Sequence, residues 1–182
     1  MNISRNTGFS LIEVLVTIVI LMIGLLGLAG LQSRALTAQM EAYQRSQALI
    51  LLKDMADRIN ANRKNAPFYD ATLGTGVAAC PTTGNTIADS DLCEWHNALL
   101  GAAETQSGAS VGAMIGARGC IYEITPLAAG ITGEYLIAVA WQGLNSTAAL
   151  TSGEAAACGS GEYGGDAKRR VVTLPVSIAD LS

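Results

Sequence analysis

The sequence predicts an α+β protein. A long N-terminal helix, membrane-spanning in its first half, packs on a small antiparallel sheet of three to four strands with long loops and two disulfides. Three observations predict this fold class. An apolar run extends from Phe9 to Leu31, helical periodicity continues from Gln32 to about Asn62, and β-rich segments with four cysteines follow. The 182 residues suffice for one domain plus an extended element.

The apolar run is long enough to cross a membrane. As a helix, Phe9 to Leu31 would extend about 34 Å, and the hydrocarbon core of a bilayer is about 30 Å thick. Glu13 carries the only charge in the run, and an ionised carboxylate there costs about 2.5–3.5 kcal/mol on insertion scales. A plain anchor gains nothing from that carboxylate, so the sequence predicts a cationic partner for Glu13.

Six consecutive residues at the start of the run carry a strong resemblance to a known family. Gly8 is followed by Phe9-Ser10-Leu11-Ile12-Glu13, with a short polar leader before it and the apolar helix after it. This arrangement resembles the class III signal of type IV prepilins. The resemblance implies the type IV pilin fold and cleavage between Gly8 and Phe9 by a prepilin peptidase at the cytoplasmic face of the inner membrane. It also implies N-methylation of Phe9 and assembly into a filament.

Cleavage at that site would supply the partner of Glu13. The new α-amino group of Phe9 is a cation about one helical turn from Glu13, so a neighbouring copy can provide either half of an ion pair. A secretory signal peptide is cut after its apolar region, whereas this site lies before it and leaves the helix on the mature protein. Some minor pseudopilins at the extreme tip lack this carboxylate, so Glu13 implies that another subunit lies above this one.

The chain divides into four predicted segments. They are a prepilin leader at 1–8, a transmembrane and filament-core half-helix at 9–31, an amphipathic half-helix at 32–64 and a periplasmic head at 65–182. Gly24, Gly27 and Gly30 lower the helix propensity of the first half-helix. They predict either local bending or unwinding on assembly, or a straight helix that neighbouring helices approach closely.

The second half-helix carries one apolar stripe. From Gln32 to about Asn62 there is no Pro or Gly, and apolar residues recur at helical spacing. The stripe consists of Leu36, Met40, Tyr43, Ala48, Leu51, Leu52, Met55 and Ile59. We interpret it as the face that packs on the sheet.

The head is predicted to contain a loop from Asp70 to Asp91 and then a short helix to about Leu100. Asp89-Ser90-Asp91 would cap this helix. Trp95 is expected in the core and His96 at the surface.

Three segments of the head have strand character. They are Cys120–Ile124, Tyr135–Trp141 as a central strand, and Arg170–Ile178, which Pro175 marks as an edge strand. The segment from Val111 to Ile115 is a candidate for a fourth strand.

All four cysteines follow the membrane segment, and an even number in an exported domain predicts two disulfides. Positions in the predicted layout favour Cys80–Cys93 with Cys120–Cys158, while the two other connectivities stay open. Cys93 and His96 form a C-x-x-H arrangement, but no second close pair completes a zinc site. We therefore expect no metal and no cofactor.

Charge is distributed unevenly along the chain. The net charge is −4. Loss of the leader, in which Arg5 is the only charged side chain, makes it −5. Basic residues outnumber acidic ones on the helix after the apolar run, whereas the head is acidic. An acidic head argues against nucleic-acid binding, although the local triplet Lys168-Arg169-Arg170 leaves a DNA-binding or adhesive tip as a remote alternative. The simpler interpretation is that these charges flank an edge strand and discourage pairing.

The rest of the chain resembles minor pilins of the PilV type, also called type IV pilus modification proteins. The resemblance lies in the Gln47–Arg58 helix, the Asp91-Leu92…Trp95…Leu99 helix, Ala138–Trp141 and Arg169–Val172. It implies a structural subunit that aids assembly, initiation and surface display of a pilus, with motility, adhesion and DNA uptake depending on it indirectly. Its partners would be other minor and major pilins.

Two further hypotheses remain. A pseudopilin of a type II secretion system would have the same leader. A membrane-anchored enzyme finds little support, because the sequence has one histidine and none of the G-x-S-x-G, H-E-x-x-H or phosphate-loop patterns. We therefore predict no catalysis and no small-molecule substrate.

Overall fold

The computed structural model describes residues 10–101, 105–107, 109–110, 112 and 114–180. The chain forms two compact units, one up to Met40 and one from Glu41 onward. Helix α1, Leu11–Ala61, contributes to both units. The Ser10 carbonyl accepts the first helical hydrogen bonds, from the N–H groups of Glu13 and Val14. The prediction of one long N-terminal helix is therefore confirmed.

The second unit is built around a four-stranded antiparallel sheet with the strand order β1-β4-β5-β6. The strands are β1, Ala71–Gly74; β4, Ile115–Thr125; β5, Gly133–Gln142; and β6, Arg169–Ile178. A separate hairpin consists of β2, Thr105–Gln106, and β3, Ala109–Ser110. The predicted α+β fold with a sheet of three to four strands is confirmed, with β5 in the centre and β6 at an edge.

The fourth strand lies elsewhere than predicted. We expected it between Val111 and Ile115, but Ile115 begins β4 and Val111 lies outside the described residues. The fourth strand is β1, inside the segment predicted as a loop from Asp70 to Asp91. Gly74 at its end has φ +94°, and a Cβ there would lie 2.4 Å from the Ala117 carbonyl oxygen. A strand of only four residues contains too few alternations between apolar and polar side chains to be recognised from the sequence.

The short helix of the head begins earlier than predicted. Helix α2 extends from Thr86 to Leu99, and the side chain of Asn85 caps it by accepting from the Ala88 N–H. The predicted cap at Asp89-Ser90-Asp91 is wrong, because Asp89 instead accepts hydrogen bonds from the backbone and side chain of Thr83. Asn and Asp are both good caps, so local sequence does not distinguish these starts.

One face of the sheet carries the main core. The part of α1 within the second unit buries Gln44, Ala48, Leu52, Met55, Ala56 and Ile59. Leu92, Trp95 and Leu99 of α2 join this cluster with the inward side chains of β4, β5 and β6. Trp95 is fully buried and donates to the Leu51 carbonyl, as expected of a core residue. Beneath it Gly119 of β4 leaves the necessary room, since a Cβ there would lie 2.3 Å from the indole ring.

The apolar stripe of α1 is only partly a core stripe. Leu36, Met40 and Tyr43 are between 46% and 63% exposed, whereas Gln44 is buried. The predicted packing face is therefore wrong for these three apolar residues. Helical spacing shows which residues share one face of a helix, but it does not show which of them are covered by other parts of the protein.

The other face of the sheet is covered by the chain between β5 and β6. Cys158 and Tyr163 of this segment form a second buried cluster with Cys120 of β4 and Ala138 and Ala140 of β5. The prediction of two disulfides is confirmed, and the structure contains Cys80–Cys93 and Cys120–Cys158, the pairing favoured from the sequence. The second bridge attaches the covering loop to β4.

Candidate functional site

The N-terminal unit contains the first candidate site. Gly8 and Phe9, the predicted positions of cleavage and methylation, lie outside the described residues. Ser10 is the first described residue and α1 begins directly after it. The predicted processing chemistry therefore remains a prediction.

Glu13 lies in the first turn of α1 with its side chain exposed. A carboxylate is favoured at this end of a helix, because it faces the partial positive charge of the free N–H groups. Within the described part of the chain, no cation pairs with it. The carboxylate is therefore available to a cation from outside the described residues or from another subunit.

Around Glu13 the helix is apolar on every side. No described side chain up to Met40 is buried, and large apolar residues such as Leu11, Leu21 and Leu26 are between 63% and 90% exposed. A helix that is apolar all round is stable only when lipid or other helices surround it. The helix containing this segment is long and apolar enough to cross a membrane by length and composition.

The three described glycines of this unit do not interrupt α1. The helix continues through Gly24, Gly27 and Gly30, and a Cβ built on each would have nothing within 4 Å. No packing within the described chain therefore requires their small size. Contact with another helix would use it, because glycine lets two backbones approach closely. Bending on assembly remains a prediction.

In the second unit, Arg58 of α1 joins the two helices. Its guanidinium donates to the carboxylates of Asp54, Asp91 and Glu94 at 2.8–3.0 Å. Asp91 of α2 also accepts from the Tyr69 hydroxyl. Burial, and then the bond to Asp91, raise the pKa of Tyr69 to about 12. Asp91 and Glu94 are more than thirty residues away from Arg58 along the chain, so residue spacing in the sequence did not indicate these two pairs.

Two arginines of the Lys168-Arg169-Arg170 triplet are used internally. Arg169 is 4% exposed and donates to the carbonyls of Leu150, Ala156 and Cys158 and to the Asp166 carboxylate. The interpretation of all three as solvated charges that flank an edge strand is therefore wrong for Arg169.

Arg170 is also engaged within the head. It donates to Glu41 of α1 at 3.3 Å, to the Asn145 carbonyl at 2.7 Å and to the Thr147 hydroxyl at 2.8 Å. Within the triplet, Lys168 alone is exposed. A nucleic acid would therefore meet one free cation here instead of three, which removes the basic patch that motivated the DNA-binding alternative.

His96 is buried, and its expected surface position is wrong. It is 5% exposed, and its Nδ1 accepts from the Gly74 N–H at 3.1 Å. The imidazole ring thus provides the hydrogen-bond acceptor for the last N–H group of β1. Cys93 of the C-x-x-H arrangement is bridged to Cys80, so its sulfur is not a thiolate that could bind zinc. Among the described residues, no group of His, Cys, Asp and Glu side chains could hold a metal ion.

Two family models match the chain. A model described as Prokaryotic N-terminal methylation motif matches residues 3–29, and one described as Type IV pilin Tt1218 (Tt1218-like) matches residues 30–98. No curated protein and no solved structure matches it. The matched segments cover the apolar helix, the rest of α1 and the chain through most of α2. With the long helix, the four-stranded sheet and the two disulfides, these two matches support a type IV pilin-like protein with a prokaryotic N-terminal methylation motif.

Proposed function

We propose that this chain is a minor pilin of a type IV pilus, of the PilV type, with a structural role in pilus assembly, initiation and surface display. One observation carries the proposal. Glu13 is a lone carboxylate in the first turn of a helix whose described side chains up to Met40 are all unburied. A surface of this kind suits a bilayer first and the helices of neighbouring subunits afterwards.

The proposal includes processing and location. A prepilin peptidase cuts between Gly8 and Phe9, and the Phe9 amine is methylated. The subunit then spans the inner membrane once, with its N-terminus cytoplasmic and its head periplasmic, until it enters the pilus. Its partners are other minor pilins and the major pilin, which it meets through α1. The role requires no catalysis, cofactor or small-molecule substrate.

Substitution of Glu13 tests the assembly step. Glu13→Ala should leave membrane insertion and Gly8–Phe9 cleavage intact but strongly reduce the amount of subunit in sheared pili, because the neighbouring N-terminus loses its counter-charge. Thr17→Ala is the matched control one turn further along, since the Thr17 hydroxyl only donates to the Val14 carbonyl of its own helix. Mass spectrometry and quantitative blotting of sheared pili measure both variants. Normal incorporation of the alanine variant would disprove the ion-pair proposal.

A second variant isolates processing from assembly. Gly8→Leu should leave unprocessed protein in the membrane, because the peptidase site then holds a bulky side chain. A mature wild-type protein that still began at Met1 would contradict the entire proposal. A pseudopilin of a type II secretion system has the same leader, so co-purification with secretion pseudopilins instead of minor pilins would favour that alternative.

A further inference from the structure

The outer face of the sheet, opposite α1 and α2, is divided into two halves. In one half, Cys120, Ala138 and Ala140 lie beneath Cys158 and Tyr163 of the covering loop. The other half begins two residues further along the strands, where Tyr122 of β4 is paired with Leu136 of β5. Both of these side chains are only partly buried, and Ile124, the next outward side chain of β4, is exposed.

The uncovered half forms an open groove of about 360 Å³. Its apolar floor is formed by Ile124, Leu136 and Pro175, and Leu136 and Pro175 are register partners on β5 and β6. Ile124 is 45% exposed and Pro175 is also exposed. Glu134 and Glu154 line the same groove. We call these five residues the acidic groove.

The carboxylates of the acidic groove have no cation in the described chain. Glu134 accepts only from the Thr125 hydroxyl at 3.3 Å, and no ion pair among the described residues includes Glu134, Glu154 or the nearby Asp70. Burial raises the pKa of Tyr122, the charges of Glu154 and Asp70 raise it further, and the charge of Arg169 lowers it. Glu134 and Glu154, which line the groove without an ion pair among the described residues, make its surface negative.

Several other acidic side chains of the head are paired with arginine. Asp91 pairs with Arg58, Glu162 with Arg118 and Asp166 with Arg169, at distances between 2.9 and 3.2 Å. The acidic groove differs from these three sites in combining exposed apolar area with carboxylates that have no ion pair. Such a combination is unfavourable for an isolated surface and favourable for a complementary one.

We propose that the acidic groove is a docking site for a cationic, apolar segment of a partner protein, with a Lys or Arg beside an aliphatic or aromatic side chain. The apolar side chain covers Ile124 and Leu136, and the cation lies between Glu134 and Glu154. An anionic membrane surface or a nucleic acid is disfavoured here, since both would meet carboxylates. The site belongs to the head and does not involve Glu13 or the first half of α1.

Peptide binding tests the chemistry of the partner. The full chain in detergent is titrated with a short fluorescent peptide that alternates leucine and lysine, and the same peptide with glutamate in place of lysine serves as the negative probe. We expect saturable binding of the lysine peptide only. Glu134→Gln with Glu154→Gln should weaken it about tenfold or more, and Ile124→Ser should weaken it too.

The matched control removes the same charge elsewhere. Asp57→Asn with Glu162→Gln changes the net charge equally but leaves the acidic groove intact, so it should bind almost as the wild type does. Equal weakening in both double variants would overturn the proposal, because binding would then reflect net charge alone. Failure of the lysine peptide to bind the wild-type chain would overturn it as well.

A cross-link identifies the occupant in cells. A photoreactive residue replacing Ile124 should become linked to a Lys- or Arg-containing segment of a different protein, and Glu134→Gln with Glu154→Gln should abolish that product. A link to a second copy of this chain, or to lipid, would show that the groove has another occupant and would overturn the proposal. Loss of pilus incorporation in the Glu13 experiment would leave this result unaffected.

Discussion

At the scale of single residues, the most consequential side chain in the head is Arg169. Its guanidinium holds the loop between β5 and β6 together, because it donates hydrogen bonds to three carbonyl oxygens of that loop and to the carboxylate of Asp166. The Gly161 N–H and then Arg169 hold the pKa of Asp166 below its ordinary value. Backbone carbonyls buried in a loop need such a donor, since no neighbouring strand supplies one.

Replacement of this arginine should therefore destabilise the head. Arg169→Met removes the donor to three loop carbonyls, of which that of Cys158 is buried, and we expect a loss of about 3 kcal/mol in the free energy of unfolding. Lys168→Met is the control, since Lys168 is exposed and its replacement should change stability by less than about 0.5 kcal/mol. Urea unfolding followed by circular dichroism measures both. Similar losses in the two variants would show that Arg169 has no special role.

At the scale of elements, each disulfide attaches a loop to a regular element. Cys80–Cys93 joins the segment after β1 to α2 and closes 13 residues, whereas Cys120–Cys158 joins the covering loop to β4 and closes 38 residues. The second bridge also lies in the buried cluster with Tyr163 and Ala138. A small, glycine-rich head gains a large share of its stability from such constraints.

The two disulfides should contribute different amounts to the free energy of unfolding. In the chain-entropy account, Cys80–Cys93 contributes about 3 kcal/mol and Cys120–Cys158 about 4 kcal/mol. Paired alanine substitutions, Cys80→Ala with Cys93→Ala and Cys120→Ala with Cys158→Ala, should lower the midpoint of urea unfolding in that order. The second pair should lose more than loop entropy alone predicts, because it also exposes the outer cluster. The reverse order would contradict the assignment of the covering loop as a packed element.

At the scale of the whole molecule, buried phenols link stability to alkaline pH. Burial raises the pKa of Tyr163 to about 12, and it likewise raises those of Tyr69, Tyr122 and Tyr135 above the ordinary value of about 10. Between these values the folded chain holds protons that the unfolded chain has lost. The stability from these groups is therefore complete below about pH 10 and declines as the pH rises through 12.

Thermal unfolding at pH 8, 10 and 11 should show this decline, with the midpoint dropping between the last two values. Tyr163→Phe keeps the ring beside Cys158 and loses the hydroxyl that donates to the Gly116 carbonyl. That variant should be less stable at pH 8 but lose less on the change to pH 11. An equal drop in both proteins would show that Tyr163 does not carry the effect.

Local sequence was sufficient to predict those elements whose apolar and polar side chains follow a repeating pattern along the chain. The apolar run with Glu13, the unbroken periodicity of α1, the strands β5 and β6 and the anchor Trp95 all follow from spacing and composition. Such patterns are readable because every turn or residue pair repeats the same choice between an apolar and a polar side chain. The prepilin-like motif from Gly8 to Glu13 is equally local, since its six residues are consecutive.

The tertiary structure alone decided which polar groups meet. β1 is four residues long, His96 is buried to accept from Gly74, and Arg58 and Arg169 reach partners on other elements. The acidic groove is likewise a product of the tertiary structure. Its residues come from three strands and from the loop after β5, namely β4, β5, β6 and Glu154. Long side chains and short strands acquire their roles from distant neighbours, and one-dimensional periodicity contains no information about those distances.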